Sequence, residues 1–437
     1  MSSINQRVRQ KPAVNSVGTV VANSSAEAQL KRLTLASMLW ENQFYLDGKA
    51  HAELVRELVA KVAPEKVSAI AEAARSKFKL RHIPLLLARE LARNGKLHAQ
   101  TLTNIIQRPD EMSEFLSIYW KDGRTAISNQ VKKGLAACFN KFSEYQFAKW
   151  DKNSAAVKLR DVMFLSHPKP QSAQQTELFK RIASESLATP DTWETQLSGG
   201  ADKRETFIRL MSERKLGALA FLRNLRNMTQ SGVPESLIRE YGSSVDVSKV
   251  LPFRFISAAR IVPQFEDMLE QMMFKALEGV EKLPGKTVLV IDVSGSMFGT
   301  KVSAKSDLDR FDAAAALAVL CREICETVEI YSFSSSAVRV PPRRGFALVE
   351  AINTSQRHGG TQLGRSMREI DAQTRYDRVI VFTDEQSYDT PSKPLSGLGY
   401  LVNVASYEHG VNHNAWNEIN GFSEAIIAYI QAFENDK

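Results

Sequence analysis

Apolar residues recur every three or four positions along residues 25 to 280 of the chain. The segments AEAQLKRLTLASMLWENQFY, HAELVRELVAKV and IPLLLARELARN show this spacing, which is that of amphipathic helices. The breaks between such segments are short, and they carry Pro64, Pro84, Pro109 and Gly123. The pattern predicts many helices of about 12–15 residues, which favours stacked antiparallel helices over a single bundle.

The hydrophobic pattern changes at the segment EKLPGK, residues 281 to 286. Beyond it, nearly all-apolar strands alternate with helical segments: TVLVIDVS, DLDRFDAAAALAVLCREIC, TVEIYSFS, TQLGRSMREI, DRVIVFTDE, YLVNVASYE and FSEAIIAYIQAF. This alternation predicts a doubly wound (Rossmann-like) α/β domain, in which helices cover both faces of a parallel sheet. We therefore divide this multidomain chain into a flexible segment at 1–24, an all-α domain at 25–283 and an α/β domain at 284–437.

The composition is that of a globular protein with more than one domain. The chain has 437 residues, of which 43% are hydrophobic and 24% are charged. No apolar run approaches the ~18 residues that a membrane span requires, and the first residues lack the apolar core of a secretory signal. The three cysteines fit a reducing compartment, so we expect a cytoplasmic protein without a membrane partner. Cys321 and Cys325 lie in an apolar helical pattern, which favours buried thiols over metal ligands.

Positive charge is concentrated in the first two-thirds of the chain. The whole chain has 57 Lys and Arg against 49 Asp and Glu, and residues 286–437 hold 15 and 19 of them. The first 285 residues therefore hold 42 basic and 30 acidic side chains, an excess of 12 positive charges. An excess of that size favours a polyanionic partner such as nucleic acid, although many basic proteins bind none.

Oxygen-bearing side chains follow the first predicted strand of the α/β region. Asp292, Ser294 and Ser296 form the pattern D-x-S-x-S, and alternate residues of an extended chain point the same way. Thr361 follows two glycines and opens a predicted helix, and Asp384 ends another apolar strand. Ligands of open parallel sheets bind beyond the carboxyl ends of the strands, where both aspartates fall. We therefore expect these five side chains to converge.

The five side chains provide two carboxylates and three hydroxyls, without His or Cys. Such an all-oxygen set suits Mg²⁺ or Mn²⁺ and leaves a coordination position for an outside carboxylate or phosphate. The alternative is that the serines cap a loop and Asp384 anchors a turn. A catalytic serine would need a base, and His358, the nearest candidate in sequence, is better explained as a loop residue. We therefore expect a metal-dependent docking site and no enzymatic activity.

These segments resemble two known families. The D-x-S-x-S pattern, the distant Thr361 and the T-D pair that ends the later strand resemble the metal-ion-dependent adhesion site of von Willebrand factor A-type domains. The segments LGALAFLRNLRNMTQSGV (216–233), VLPFRFISAAR (250–260) and VMFLSHPKP (162–170) resemble the TROVE module of Ro autoantigens and their bacterial relatives. In that family the helical module also precedes an A-type domain.

The resemblance implies a ring of HEAT-like helical repeats whose ends are joined by the A-type domain. It further implies that small noncoding Y-like RNA binds the outer basic surface, and that the hole accepts single-stranded 3′ ends of misfolded or decaying RNA. Bacterial relatives work with 3′-to-5′ exoribonucleases, so the resemblance implies a scaffold in RNA processing or quality control. An exoribonuclease or another protein is then the expected partner at the metal site.

Candidate RNA contacts lie in the segment NQVKKGLAACFNKFSEYQFAKWDKN, in which lysines alternate with aromatic residues. The expected phosphate contacts are Lys132, Lys133, Lys141, Lys149 and Lys152. The resemblance implicates Lys149 and His167 in Y RNA contact. The arginine that the family places shortly after the lysine appears here as Asn153, or is displaced to Lys152 or Lys158. In the alternative interpretation the lysines only face water, the aromatic residues belong to the core, and His167 caps a turn.

The sequence leaves two functions open. The first is an RNA-binding ring that scaffolds noncoding RNA and a nuclease. The second is a metal-dependent protein-interaction or adhesion module in which the basic helices are incidental. A metal-assisted hydrolase is disfavoured, because the chain has neither a P-loop nor a second set of metal ligands. The basic helical region and the TROVE-like segments together favour the RNA-binding ring.

Overall fold

The computed structural model describes most of the chain. It covers residues 25–36, 48–151, 155–248, 250, 253–300, 308–384, 387–389, 391–404, 416–420 and 425–435. The segment at 1–24, which the sequence predicts to be flexible, lies outside the described residues, as does Lys152.

Helices make up the described chain as far as the first strand. The first eight are α1 (Ala26–Ala36), α2 (Gly48–Lys61), α3 (Pro64–Ser76), α4 (His82–Arg93), α5 (Ala99–Ile105), α6 (Pro109–Tyr119), α7 (Asn129–Cys138) and α8 (Glu144–Trp150). The next eight are α9 (Leu159–Ser166), α10 (Ala173–Ala183), α11 (Trp193–Ser198), α12 (Lys203–Ser212), α13 (Ala218–Gln230), α14 (Glu235–Ser244), α15 (Phe253–Ile261) and α16 (Glu266–Leu277). Neighbours in sequence pack together, as α3 does with α4 and α15 with α16, which is the arrangement expected of stacked helices.

Local sequence signals determine where several of these helices begin and end. Pro64 and Pro109 are the first residues of α3 and α6, where a missing N–H costs no hydrogen bond. Ser128 and Ser143 precede α7 and α8, and each side chain accepts a hydrogen bond from an N–H of the first turn. α9 ends at His167, whose φ of 53° lies in the left-handed region. The predicted role of His167 in capping a turn is therefore confirmed for its backbone.

Helices α1 to α10 enclose the first hydrophobic core. Phe115, Phe139 and Phe147 are fully buried in it. The rings of Phe139 and Phe147 stack with their centroids 5.7 Å apart, and Phe142 meets Phe147 edge-on at 5.8 Å. Three of the aromatic residues that alternate with the candidate RNA-binding lysines are thus core residues, as the alternative interpretation of that segment predicted.

A buried carboxylate joins three helices of this core. Glu111 is fully buried in the first turn of α6. One of its oxygens accepts a hydrogen bond from the Arg75 guanidinium of α3 at 2.5 Å, and the other accepts from the backbone N–H groups of Gln107 and Arg108 at 2.8 and 3.2 Å. Arg75 also donates to the carbonyl of Ile105, the last residue of α5, at 3.1 Å. Because these hydrogen bonds satisfy both charges inside the core, they fix α3, α5 and α6 relative to one another.

A six-stranded sheet forms the centre of the C-terminal part. Its strands are β1 (Leu283–Asp292), β2 (Cys325–Phe333), β3 (Ala337–Arg339), β4 (Arg378–Thr383), β5 (Gly399–Asn403) and β6 (Asn417–Asn420). They lie in the order β3-β2-β1-β4-β5-β6, and every neighbouring pair is parallel except the antiparallel pair of β2 and β3. The helices of this part are α17 (Arg310–Ile324), α18 (Gly345–Asn353), α19 (Leu363–Gln373) and α20 (Ala425–Asn435).

Alternate residues of the central strands point to opposite faces of the sheet. Val288 and Val290 of β1 belong to a buried cluster with Met367 of α19. Leu289 and Ile291 belong to a second cluster that contains side chains of α17 and α20. Both faces are therefore covered by helices, which is why the parallel strands are apolar at nearly every position. The predicted doubly wound α/β fold is confirmed.

The core on the α17 face of the sheet continues into the helical region. Side chains of α12 to α16 belong to the same cluster as the sheet, among them Phe207, Phe255 and Met272. The N–H of Phe346, near the start of α18, donates to the carboxylate of Glu270 on α16 at 2.7 Å. Hydrophobic burial thus crosses the predicted boundary between the helical and α/β domains.

Both ends of the helical series contact the α/β part. At one end α16 packs against α17 and α18, and at the other end α1 packs against α20. The chain therefore closes on itself, and the helical ring joined by an α/β domain that the sequence predicts is confirmed as the fold class. Within the described ranges, no helix combines the length and the apolarity that crossing a membrane would need.

The hydrophobic pattern missed three elements of the α/β part. β3 and β6 lie at the two edges of the sheet and have three and four residues, which is too short for a strand pattern to emerge. α18 has nine residues and follows the stretch PPRR. Its helical spacing extends over little more than two turns, so it does not stand out from a loop.

We expect Glu111→Ala to lower the free energy of unfolding by about 3–5 kcal/mol, because it leaves a guanidinium that is 12% exposed without its counter-charge. Chemical denaturation followed by circular dichroism measures the change. The control is Glu177→Ala, which removes an exposed carboxylate paired with Lys180 and should cost no more than about 0.5 kcal/mol. Equal losses in the two variants would contradict the structural role of Glu111.

Candidate functional site

The first candidate site lies where β1 and β4 end side by side. The two strands are parallel neighbours, so Asp292, the last residue of β1, lies beside Thr383, the last residue of β4. The Thr383 hydroxyl donates to Asp292 Oδ2 at 2.6 Å. Asp384 follows directly, and both carboxylates are fully buried. The sheet therefore brings the two predicted carboxylate ligands to one edge, as expected of the carboxyl ends of parallel strands.

The D-x-S-x-S segment folds into a tight turn after β1. The N–H of Ser294 donates to Asp292 Oδ1 at 2.8 Å, and the hydroxyl oxygens of Ser294 and Ser296 are 3.2 Å apart. A 3₁₀ turn over Gly295–Met297 holds this geometry. The three predicted oxygen ligands of this segment are therefore adjacent to one another.

The loop that carries Thr361 packs against the same turn. The N–H of Gly295 donates to the carbonyl of Gly359 at 3.2 Å. Thr361 is buried, and its carbonyl accepts a hydrogen bond from the N–H of Tyr388 at 2.9 Å. Tyr388 itself is 84% exposed, so it stands at the rim of the site. The segments of all five predicted ligands thus meet at one corner of the sheet.

A residue that the sequence reasoning missed occupies this corner. Arg310, the first residue of α17, is 4% exposed. Its guanidinium donates to Asp384 Oδ2 at 2.8 Å and to the carbonyl of Ser296 at 3.3 Å. The signal in the sequence was an arginine at the start of the helical segment DRFDAAAALAVL, whose positions after Asp312 are all apolar. A cation on such a buried helix needs a counter-charge, because it has no access to solvent.

Burial dominates the electrostatics of the site. It raises the pKa of Asp292 to about 7, and the nearby Asp384 charge adds to the rise, while hydrogen bonds from Thr383 and Ser294 oppose it. Asp384 pairs with the Arg310 guanidinium, while Asp292 accepts its hydrogen bonds from neutral donors, so the two buried carboxylates are short of positive charge. A small divalent cation would supply it, and the carboxylate and hydroxyl oxygens present are the ligands such an ion prefers.

The geometry does not suggest a serine nucleophile. The Nε2 atom of His358 lies 3.1 Å from the carbonyl of Asn353, and its ring stacks on Phe298 with centroids 4.0 Å apart. These contacts agree with the prediction that His358 is a loop residue. In the described part of the chain, no three His, Cys, Asp or Glu side chains cluster as a metal site would, so hydroxyl ligands are essential to any cation here.

Three of the candidate RNA contacts lie on two successive helices. Lys132 and Lys133 are in the first half of α7, and Lys149 is exposed near the end of α8. The Lys149 ammonium lies 5.7 and 5.8 Å from the ring centroids of Tyr145 and Trp150. Among the described residues, none of these three lysines has a carboxylate within salt-bridge distance. They are therefore available cations on the surface of the helical part.

Two other predicted contacts have different surroundings. The Lys141 ammonium donates to the carbonyls of Thr103 and Ile106 at 2.5 Å, so it satisfies the C-terminal end of α5. Burial lowers the pKa of Lys141. The His167 side chain is exposed at the end of α9. Lys152 lies outside the described residues.

The three cysteines are all buried thiols without a disulfide. Burial raises the pKa of Cys138 to about 12, and it also raises the pKa values of Cys321 and Cys325. The prediction of buried thiols is confirmed, although Cys325 begins β2 instead of continuing the helix.

The chain is similar in sequence or in structure to several known proteins. The TROVE domain family model matches residues 184–315. A Ro (RSR) protein from Deinococcus radiodurans has a similar structure, with a TM-score of 0.69, 18% sequence identity, and coverage of 94% of this chain and 99% of that chain. Telomerase protein component 1 from Mus musculus is 33% identical over 89 residues, which is 19% of this chain. This chain spans only 3% of the length of that telomerase component.

We expect Arg310→Gln to destabilise the protein in the presence of a chelator by about 3–5 kcal/mol, because it leaves the buried Asp384 carboxylate without the guanidinium. Adding Asp384→Asn should recover part of the loss, since a neutral amide needs no counter-charge. Urea denaturation of the wild type, both single variants and the double variant gives the coupling free energy. A coupling near zero would contradict the pairing of the two side chains.

Proposed function

We propose that this chain, which the TROVE domain family model matches over residues 184–315 and which shares the fold of a Ro protein, binds RNA through its helical part and acts as a scaffold without catalytic activity. The observation that carries the proposal is the excess of 12 positive charges in the first 285 residues. Phosphates attract such a surface with an affinity that falls steeply with salt.

The three thiols are buried and form no disulfide, which accords with a reducing compartment, so we propose that the protein is cytoplasmic.

The proposed RNA is a small noncoding Y-like RNA together with single-stranded 3′ ends of misfolded or decaying RNA. Support comes from the resemblance of the helical segments to the TROVE module and from the closed circuit of helices, which offers both an outer surface and an interior. Lys132, Lys133 and Lys149 are the proposed phosphate contacts, because their cations have no carboxylate partner in the described structure. We assign His167 to the same surface, as an exposed side chain that follows α9.

We expect the double variant Lys133→Ala, Lys149→Ala to bind RNA more weakly than the wild type. The slope of log affinity against log salt concentration should fall by about one for each lysine removed. Filter binding of a structured RNA with a single-stranded 3′ tail, across a salt series with Mg²⁺ present, measures both quantities.

Lys393→Ala is the matched control for this experiment. It removes an exposed lysine from the acidic α/β part, and it should leave the affinity and the salt slope unchanged. The RNA recovered from every sample should be uncut, as expected of a scaffold. Failure of the wild type to bind at low salt, or cleavage of the RNA by the purified protein, would contradict the proposed function.

The corner built from Asp292, Ser294, Ser296, Thr361 and Asp384 is the proposed site of Mg²⁺ or another divalent cation such as Mn²⁺. When bound, the cation would supply an open coordination position for a carboxylate from a protein partner. Tyr388 at the rim gives such a partner an exposed aromatic contact. We propose a 3′-to-5′ exoribonuclease or another RNA-processing protein as the partner. The second candidate function, a protein-interaction module without RNA, rests on this site alone.

We expect Mg²⁺ or Mn²⁺ to raise the melting temperature of the wild type and to leave that of Asp292→Asn unchanged, because the variant loses one of the two anionic ligands. Differential scanning calorimetry with and without the metal measures the shift. The RNA affinity of the variant should stay within about twofold of the wild type, since the two sites lie in different parts of the chain.

The control for the metal experiment is Asp371→Asn. Asp371 is a carboxylate on α19 that accepts a hydrogen bond from the Tyr376 hydroxyl, away from the proposed ligands. Its response to the metal should equal that of the wild type. If the wild type shows no shift with either metal, the corner is not a divalent cation site. If Asp292→Asn abolishes RNA binding while the control does not, the two proposed sites are not independent.

A further inference from the structure

A cleft of about 380 Å³ opens between the end of α6 and the exposed face of α9. Its walls are formed by Trp120, Arg124, Ala156, Val157, Asp161, Phe164 and Leu165. The volume falls within the range of about 300–1,000 Å³ that is typical of small-ligand pockets. No part of the oxygen corner or of the candidate lysines on α7 and α8 contributes to it.

Two aromatic side chains from different helices form the apolar part of this cleft. Trp120 is the residue after α6, and its indole N–H donates to the carbonyl of Thr125 at 2.9 Å, which fixes the ring. Phe164 lies on α9 and is 52% exposed. A half-exposed phenylalanine loses hydrophobic stabilisation unless another flat apolar group covers it.

Positive charge surrounds the aromatic rings. The Arg124 guanidinium lies 4.9 Å from the Trp120 ring centroid, and Lys121 follows in the same loop. Within the described structure neither cation has a carboxylate at salt-bridge distance. Arg160 lies 6.0 Å from the Phe164 ring centroid and pairs with Glu185 at 2.9 Å. The loop after α6 thus supplies one unpaired cation, Arg124, that lines the cleft together with the half-exposed Phe164 ring, and a second, Lys121, next to Trp120 in the sequence.

The one acidic side chain in the cleft is held by the backbone. A carboxylate oxygen of Asp161 accepts a hydrogen bond from the N–H of Lys158 at 3.1 Å, at the start of α9. The positive end of the helix offsets its charge there. A ligand phosphate would therefore bind the Arg124 guanidinium, the basic group that lines the cleft.

We propose that this cleft binds an unpaired nucleotide of single-stranded RNA, with the base stacked on Phe164 and its phosphate beside Arg124. A nucleotide combines a flat apolar face with an adjacent negative charge, and this combination matches the half-exposed ring and the unpaired guanidinium. An apolar peptide would cover the ring but leave Arg124 unmatched. The proposal rests on the proposed RNA-binding function and adds to it a base-stacking contact that phosphate-binding lysines do not provide.

The test compares the binding of two short single-stranded RNAs by fluorescence anisotropy. One is an oligoadenylate, and the other has the same length and charge but abasic positions in its centre. Phe164→Ala should weaken binding of the oligoadenylate by about 5- to 150-fold, the range for loss of one base–aromatic stack. The same variant should bind the abasic RNA as the wild type does. Phe164→Leu should lose most of this affinity, because it keeps an apolar side chain without the aromatic face.

Arg124→Ala tests the phosphate half of the contact. It should weaken the binding of both RNAs and lower the salt slope by about one. Leu395→Ala and Arg343→Ala are the matched controls, since they remove a 54% exposed apolar side chain and an exposed arginine from the α/β part. Both controls should bind both RNAs with wild-type affinity.

The outcomes separate the cleft from the wider function. If the wild type binds RNA and Phe164→Ala behaves as Leu395→Ala does, the stacking site is overturned while the RNA-binding function stands. An equal loss for the oligoadenylate and the abasic RNA would also overturn it, because the contact would then not involve a base. If the wild type binds neither these oligonucleotides nor the structured RNA, both proposals fail.

Discussion

This structure depends on one constraint: one face of the sheet is buried against helices from both parts of the chain. α17 lies between the sheet and α15 and α16, and its side chains from Phe311 to Cys321 are all buried. The run of small side chains at Ala313–Ala316 lets the neighbouring elements approach closely. Neither α12–α16 nor the sheet face could be exposed to water without loss of a large apolar surface. The two parts therefore stabilise each other.

Charges at the start of α17 connect this core to the oxygen corner. Asp312 pairs with Arg260 of α15, and Arg310 pairs with Asp384 beyond β4. The first turn of one helix thus contacts the helical part on one side and the proposed cation site on the other. A change in the position of α15 would act on α17 and on the carboxylate that Arg310 holds. The physical link between the two parts consists of these ion pairs and the core behind them.

The sequence predicted the features whose cause is local. The apolar runs before Asp292 and Asp384 identify strands, and their ends coincide because parallel strands share an edge. Arg310 was missed since its partner Asp384 is 74 residues away, and only the pairing of β1 with β4 brings them together. From the sequence, Lys141 would be expected to face solvent. It instead donates to two backbone carbonyls that lie 35 and 38 residues earlier in the chain. The cleft of Trp120 and Phe164 likewise requires the packing of α6 against α9, which no periodicity reveals.

The contact between α1 and α20 has a consequence for biosynthesis. About 390 residues separate the end of α1 from the start of α20, and ribosomes add about 5–20 residues per second. The first helix therefore waits about 20–80 s for its partner while the helices between them fold. The surface of α1 that faces α20 therefore stays uncovered until α20 has been synthesised. Chaperones that protect such surface would meet this chain at α1.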